Sequence, residues 1–168
     1  EDDWSLLALA SKSDESAWRV LSDKYRPRLL ALAFVITRSR ASAEDVAQET
    51  FVKLLTHPPS KLRDSLMPYL STIAYRLALK EAKRQGRHSD VDGIEYLDDS
   101  PTPDAELLLH EKRSVVGEAL TELDEKQRVV IGLRFQGGMS YDEIARLLNV
   151  PLGTVKSRLF NAIKNCRE

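Results

Sequence analysis

Residues Ser140–Phe160 read SYDEIARLLNVPLGTVKSRLF. Ser140 followed by Glu143 is a capping-box pattern, so the spacing predicts a helix over Tyr141–Leu148 with Ile144, Leu147 and Leu148 turned inward. Asn149-Val150-Pro151 supplies a turn. In the next segment Val155, Leu159, Ala162 and Cys166 fall on one helical face. Lys156, Ser157, Phe160, Asn161 and Lys164 lie on the opposite arc, with Thr154 and Arg158 on its flank. Two short helices around a tight turn form the helix-turn-helix arrangement, whose second helix enters the major groove. Lys and Arg suit guanine or phosphate, Ser and Asn suit base edges, and Phe suits a thymine methyl. The same letters also fit a plain helical hairpin with a solvated face.

Charge sharpens the question. The chain of 168 residues carries a net charge of only −1, whereas free-standing DNA binders draw much of their affinity from phosphate contacts and are usually basic. Either the segment does not read DNA, or something else holds it there. Alternating Val/Ile/Thr runs are nearly absent, which points to an all-α fold. Cys166 is the one cysteine, so no internal disulfide is possible and a reducing, cytoplasmic setting is the default. No apolar run approaches membrane-spanning length, so no membrane insertion is expected. The sequence opens on Glu1 rather than methionine, which leaves room for a preceding segment.

Four helical segments are predicted before residue 88. Asp3–Ala10 is short, and Asp14–Thr37 is long, with Pro27 expected to kink or split it. A third is opened by Ser42, with Asp45 three residues on, and runs to about His57, where Pro58-Pro59 stop it. A fourth covers Ser65–Gln85 and ends near Gly86. Residues 89–104 then hold Asp90, Asp92, Glu95, Asp98, Asp99 and Asp104, with Pro101 and Pro103 and no Lys or Arg. They read as an acidic linker. Helices over Ala105–Leu123, Glu125–Gln136, Tyr141–Leu148 and Leu152–Asn165 follow. The fold class is therefore all-α: two small helical domains, residues 1–88 and 105–168, joined by a flexible acidic linker.

The fourth helix has a second basic face. Tyr69, Thr72, Arg76, Lys80, Lys83 and Arg87 lie within about 80° of one another, with Leu70, Ile73, Ala74, Leu77 and Ala78 as the core stripe. An aromatic at one end of a cationic ridge suits a nucleic-acid backbone with a base stacked nearby. The third helix differs. It is expected to bury Ala47, Thr50, Phe51 and Leu54, leaving Asp45, Gln48, Glu49 and Val52 together on the opposite face. That face repels phosphate and suits a basic protein surface. Each ridge alone also fits an ordinary solvated helix.

Taken in order, these pieces resemble an extracytoplasmic-function (ECF) sigma factor, of the sigma-70 family of bacterial RNA polymerase, over nearly the whole chain. Ala43–Leu55 resembles the segment that docks on the clamp helices of the polymerase β′ subunit. Pro68–Arg87 resembles the segments that melt and read the −10 element. Leu120–Asn165 resembles the region that contacts the β flap and reads the −35 element. The resemblance implies roles by position. Asp45, Gln48, Glu49 and Val52 become the polymerase-docking face. Tyr69, Thr72, Arg76, Lys80, Lys83 and Arg84 become the −10 contacts, and the loop His57–Leu66 the one that captures a flipped-out base. Thr154, Lys156, Ser157, Arg158 and Phe160 become the −35 contacts. The family usually has Trp at Tyr69, Asn near Arg76, and often a basic residue at Asn161. Core polymerase and promoter DNA are the implied partners, with an anti-sigma factor, and no cofactor.

The resemblance explains the near-zero charge, because polymerase would hold weak readers on DNA and raise their effective concentration. About 16 flexible residues span roughly 20–25 Å as a coil and about 55 Å when stretched. Readers more than a helical turn apart need about 34–36 Å or more, so the linker must extend. An autonomous helix-turn-helix repressor is the alternative, but no dimer interface or ligand pocket is legible. No enzyme is indicated: His57, His88 and His110 are isolated, with no metal-ligand spacing and no nucleophile or phosphate-loop motif.

Overall fold

A computed structural model describes residues 2–60, 65–86 and 123–167. The acidic segment 89–104, the helix expected over 105–123 except for its last residue, Leu123, and Arg87 lie outside the described residues. Among those described, every regular element is helical: α1 (Asp3–Ala10), α2 (Glu15–Thr37), α3 (Arg40–Thr56), α4 (Met67–Arg84), α5 (Glu125–Ile131), a π-helical turn (Gly132–Gln136), α6 (Tyr141–Leu148) and α7 (Leu152–Arg167). None is long and apolar enough to cross a membrane.

α2 is the central post of the first unit. Asp14 caps it by accepting from the Ala17 N–H, and Leu21, Tyr25, Leu29, Leu32 and Ile36 bury one side against α1, α3 and α4. Pro27 does not split it. A mid-helix proline costs about 3 kcal/mol, and the buried residues on both sides of Pro27 outweigh that. The helix ends where Arg38 turns left-handed (φ 56°) and its N–H reaches the Phe34 carbonyl.

α3 starts earlier than the spacing predicts. Ser39, not Ser42, caps α3, by accepting from the Ser42 N–H. Ser42 is buried inside the helix instead, against Glu81 of α4. Trp18 meets Phe51 edge-on, with ring centroids 5.3 Å apart, which fixes α3 on α2.

α4 has no local side-chain cap. Its first amide, Leu66, donates to Asp3 of α1, and Met67 donates to Ser65. Asp3 also accepts from Lys24 at 2.8 Å and from the Tyr25 hydroxyl. One buried carboxylate thus ties together α1, α2 and the start of α4. Inside α4 the buried stripe is Leu70, Ser71, Ala74, Tyr75, Ala78, Leu79 and Ala82. Ile73 and Leu77, expected in the core, are only half-buried. The true stripe is rotated toward Ser71 and Tyr75, which apolar counting passed over.

In the second unit the helix expected to run to Gln136 closes as a π turn. The Gly137 N–H reaches back to the Gly132 carbonyl, five residues earlier. This widened turn leaves Phe135 59% exposed, while the Gln136 and Gly137 carbonyls accept from Arg28 and Ser71. α6 carries the capping box, with both Ser140 and Glu143 bonds formed, and ends on left-handed Asn149 (φ 56°). Ile144, Leu148, Val155, Leu159 and Ala162 are buried, as the pattern required, and Leu147 is half-buried. Ser140→Ala removes the cap and should lower stability by about 1 kcal/mol. A urea titration followed by circular dichroism checks this.

Candidate nucleic-acid and protein interfaces

Asp45, Gln48, Glu49 and Val52 all emerge on one exposed face of α3. The reason is the opposite face: Val46, Ala47, Thr50, Phe51 and Leu54 are buried, and the 3.6-residue period carries the polar set outward. Val52 is 53% exposed, an apolar spot beside two carboxylates. Such a face repels nucleic acid and offers a protein partner both charge and a small desolvated contact.

The ridge on α4 is graded. Arg76, Lys80 and Lys83 are exposed, whereas Tyr69 and Thr72 are half-buried. The Tyr69 hydroxyl donates to the His57 carbonyl and clips α4 to the end of α3. Thr72 donates to the Pro68 carbonyl of its own helix. A recess of about 320 Å³ opens beside Tyr69, walled by Lys53, His57, Ile73, Arg76 and Leu77. Ile73 and Leu77 line this recess, with Leu77 also packed against the edge of the core. Their half-apolar flank was legible only once the buried stripe was placed on Ser71 and Tyr75. Residues 61–64 of the expected capture loop lie outside the described residues.

Arg84 sits differently from the other cations. Its guanidinium holds Glu81 at 2.6 Å, and that hydrogen bond keeps the Glu81 carboxyl below its usual range and the Arg84 pKa above its own. Gln85 donates to both Glu81 and Ser42, so the end of α4 is stitched to α3.

On α7, Lys156, Ser157 and Phe160 are exposed, with Phe160 at 68%, while Thr154 and Arg158 are half-buried on the flank. The buried Val155–Leu159–Ala162 seam packs on α5 and α6 and orients this arc outward. Arg134 stacks on the Tyr141 ring, 5.2 Å from its centroid, joining the π turn to α6. Three chemically distinct faces are thus presented by three helices, an acidic one and two basic ones.

Comparison with known proteins decides what these faces belong to. Residues 21–88 match the family model "Sigma-70 region 2", and residues 113–166 match "Sigma-70, region 4". The chain is 32% identical to the RNA polymerase sigma-H factor of Pseudomonas aeruginosa, over 96% of this chain and 90% of that protein. The chain belongs to the extracytoplasmic-function sigma factors of the sigma-70 family. It is also 34% identical to the ECF sigma-E factor of Escherichia coli K12, over 95% of this chain and 90% of that one. Among solved structures, the sigma factor RpoE of Bartonella quintana, in complex with the anti-sigma factor NepR, matches with a TM-score of 0.61 at 26% identity. That match covers 89% of this chain and 94% of RpoE. CnrH, in complex with the cytosolic domain of CnrY, shares the fold, with a TM-score of 0.64 over 99% of this chain and 96% of that one at 22% identity. Sigma factors are transcription initiation factors, and this chain directs promoter-specific transcription.

Proposed function

We propose that the work of this alternative sigma factor is divided among the three faces. The α3 face of Asp45, Gln48, Glu49 and Val52 docks on the β′ clamp helices of core RNA polymerase. The α4 ridge of Tyr69, Thr72, Arg76, Lys80, Lys83 and Arg84 binds and melts the −10 element, and the recess beside Tyr69 receives a base taken out of the stack. The α7 face of Thr154, Lys156, Ser157, Arg158 and Phe160 reads the −35 element, with the segment before α6 toward the β flap. Residues 1–88 and 105–168 are the two working domains, and 89–104 is the acidic connection between them. The protein works in the cytoplasm, where polymerase and promoter DNA are. An anti-sigma factor of the kind that binds the RpoE relative restrains it.

The observation that carries this reading is the exposed acidic face on α3. A repressor working alone has no use for a surface that repels DNA beside one that binds it. A sigma factor needs both, because polymerase supplies the attachment that its weak readers lack. The test is run-off transcription on a mixed set of templates with purified core polymerase, with and without the protein. Discrete new starts that share −10 and −35 motifs are expected. Binding to duplex DNA without core, and no new starts with it, favours the repressor.

A further inference from the structure

We propose that Glu81 is a positioning residue that holds Arg84 as a fixed two-pronged donor for a pair of acceptor atoms on promoter DNA. The inference rests on the reading above, which places Arg84 on the −10 ridge. At about 100° per residue, Arg84 falls at the edge of the ridge of Arg76, Lys80 and Lys83, on the side toward Glu81. Its Nε donates to Glu81 Oε2 at 3.0 Å, and its Nη2 donates to Glu81 Oε1 at 2.6 Å. Both bonds use one side edge of the planar guanidinium. The end edge, made by Nη1 and the second hydrogen of Nη2, meets no partner among the described residues, and the Arg84 side chain is 70% exposed.

Glu81 is itself held from behind. Its side chain is 24% exposed, and Oε1 accepts from the Gln85 amide at 3.2 Å and from the Ser42 hydroxyl at 3.4 Å. Gln85 also donates to Ser42 at 2.6 Å, and Ser42 is buried in the first turn of α3. A chain of bonds therefore runs from the α3–α4 contact out to the guanidinium. The pairs Arg19–Glu15 and Arg40–Glu44 differ. Each is a single contact, at 3.7 and 3.3 Å, of the surface kind that orders little.

A guanidinium gripped along its side presents two parallel N–H donors at its end. That geometry matches two acceptors side by side, on the major-groove edge of a guanine or on a phosphate. An unheld arginine loses rotamer freedom when it binds, and here that loss is taken during folding. Glu81 also acts against binding. Its negative charge stands beside a DNA-facing ridge and repels phosphate. The two effects of Glu81 have opposite signs, and only the favourable one works through Arg84.

Fluorescence anisotropy of the holoenzyme on the strongest promoter from the run-off set separates them. Arg84→Ala should weaken binding about tenfold. Glu81→Gln, which offers one acceptor in place of two, should weaken it about fivefold when Arg84 is present. In an Arg84→Ala background the same change should strengthen binding about twofold, because only the repulsion is left to remove. A loss in both backgrounds means that Glu81 merely supports α4, and a gain in both means that it merely repels DNA; either overturns the proposal. Ser42→Ala leaves every charge in place and loosens the backing of Glu81. It should cost about twofold with Arg84 present and nothing without it, and equal effects in the two backgrounds count against the proposal. Templates with single guanines replaced by 7-deazaguanine, or single phosphates by methylphosphonate, identify the acceptor. One such change should weaken wild type about fivefold and leave Glu81→Gln no weaker than before, and a −10 element without such a position overturns the proposal. Wild-type affinity in Arg84→Ala would remove Arg84 from the ridge, and with it the role of Glu81. A wild-type holoenzyme that binds no promoter would overturn the sigma reading itself.

Discussion

Replacing Asp45 and Glu49 together by lysine is expected to weaken binding to core polymerase at least about fiftyfold and to remove run-off transcription at limiting protein. Both carboxylates are exposed on the outer face of α3 and are absent from its buried set. The fold therefore has little stake in them, and surface changes of this kind usually stay within about 0.5 kcal/mol. A basic partner surface has a large stake. Each reversal turns an attraction into a repulsion, and like charges juxtaposed across an interface cost several kcal/mol. About 2.3–2.8 kcal/mol corresponds to roughly fiftyfold to a hundredfold in affinity. Fluorescence titration with labelled core measures it, with thermal melting as the control for folding. Wild-type affinity in the double variant would remove α3 from the docking site. The charge-neutral Gln48→Ala should show a smaller loss, and one that varies less with salt.

How far this was legible from letters alone differs by element. α6 and α7 were readable almost residue by residue, because the capping box, the left-handed Asn149 and the period of Ile144, Leu148, Val155 and Leu159 all agree. Local chemistry and tertiary packing point the same way there. α3 was readable in its faces but not in its start. Ser39 and Ser42 are both competent caps, and only the packing of Ser42 beside Glu81 and Gln85 decides between them. The start of α4 was not readable locally at all, since its amide is met by a carboxylate 63 residues earlier in the chain.

The sites follow the same logic. Exposed faces are set by periodicity, so the acidic face on α3 and the exposed basic arc on α7 were legible. The α4 ridge was legible as charge, but its apolar flank was not. Placing Ile73 and Leu77 in the core required the stripe to run through them, whereas Ser71, Tyr75 and Leu79 fill that place. Polar and aromatic residues can be core residues when a distant partner takes their hydrogen bond, as the Gly137 carbonyl does for Ser71. The contact between the π turn and α2 was equally hidden. It depends on a glycine-backed close approach and on backbone carbonyls, neither of which has a pattern in the sequence.

Asp3→Ala is expected to lower stability by about 3 kcal/mol, the largest loss from any single truncation considered. The Asp3 side chain is 5% exposed and accepts from Lys24 and Tyr25 side chains and from the Leu66 amide. Hydrogen bonds to a charged group contribute roughly 1.5–3 kcal/mol each, and a buried donor left unmet costs about 1–3 kcal/mol. Tyr25 keeps a contact with Ser65 at 3.2 Å, and the Lys24 ammonium, on a half-exposed side chain, can be rehydrated. The buried Leu66 amide has no such recourse, and it opens the helix that carries the basic ridge. The same carboxylate predicts a pH signature. Burial alone would raise its pKa, but the bonds from Lys24, Tyr25 and Leu66 together bring it below the ordinary value of 3.8. A pKa lowered by folding means the stabilisation is fully present above about pH 4 and fades as pH falls through the folded value. Asp3→Asn, which keeps one acceptor and cannot ionise, should cost less than alanine and should narrow its stability gap to wild type as pH drops from 5 toward 2. Urea midpoints measured across that range decide it: a gap that stays constant would mean Asp3 acts through packing rather than charge.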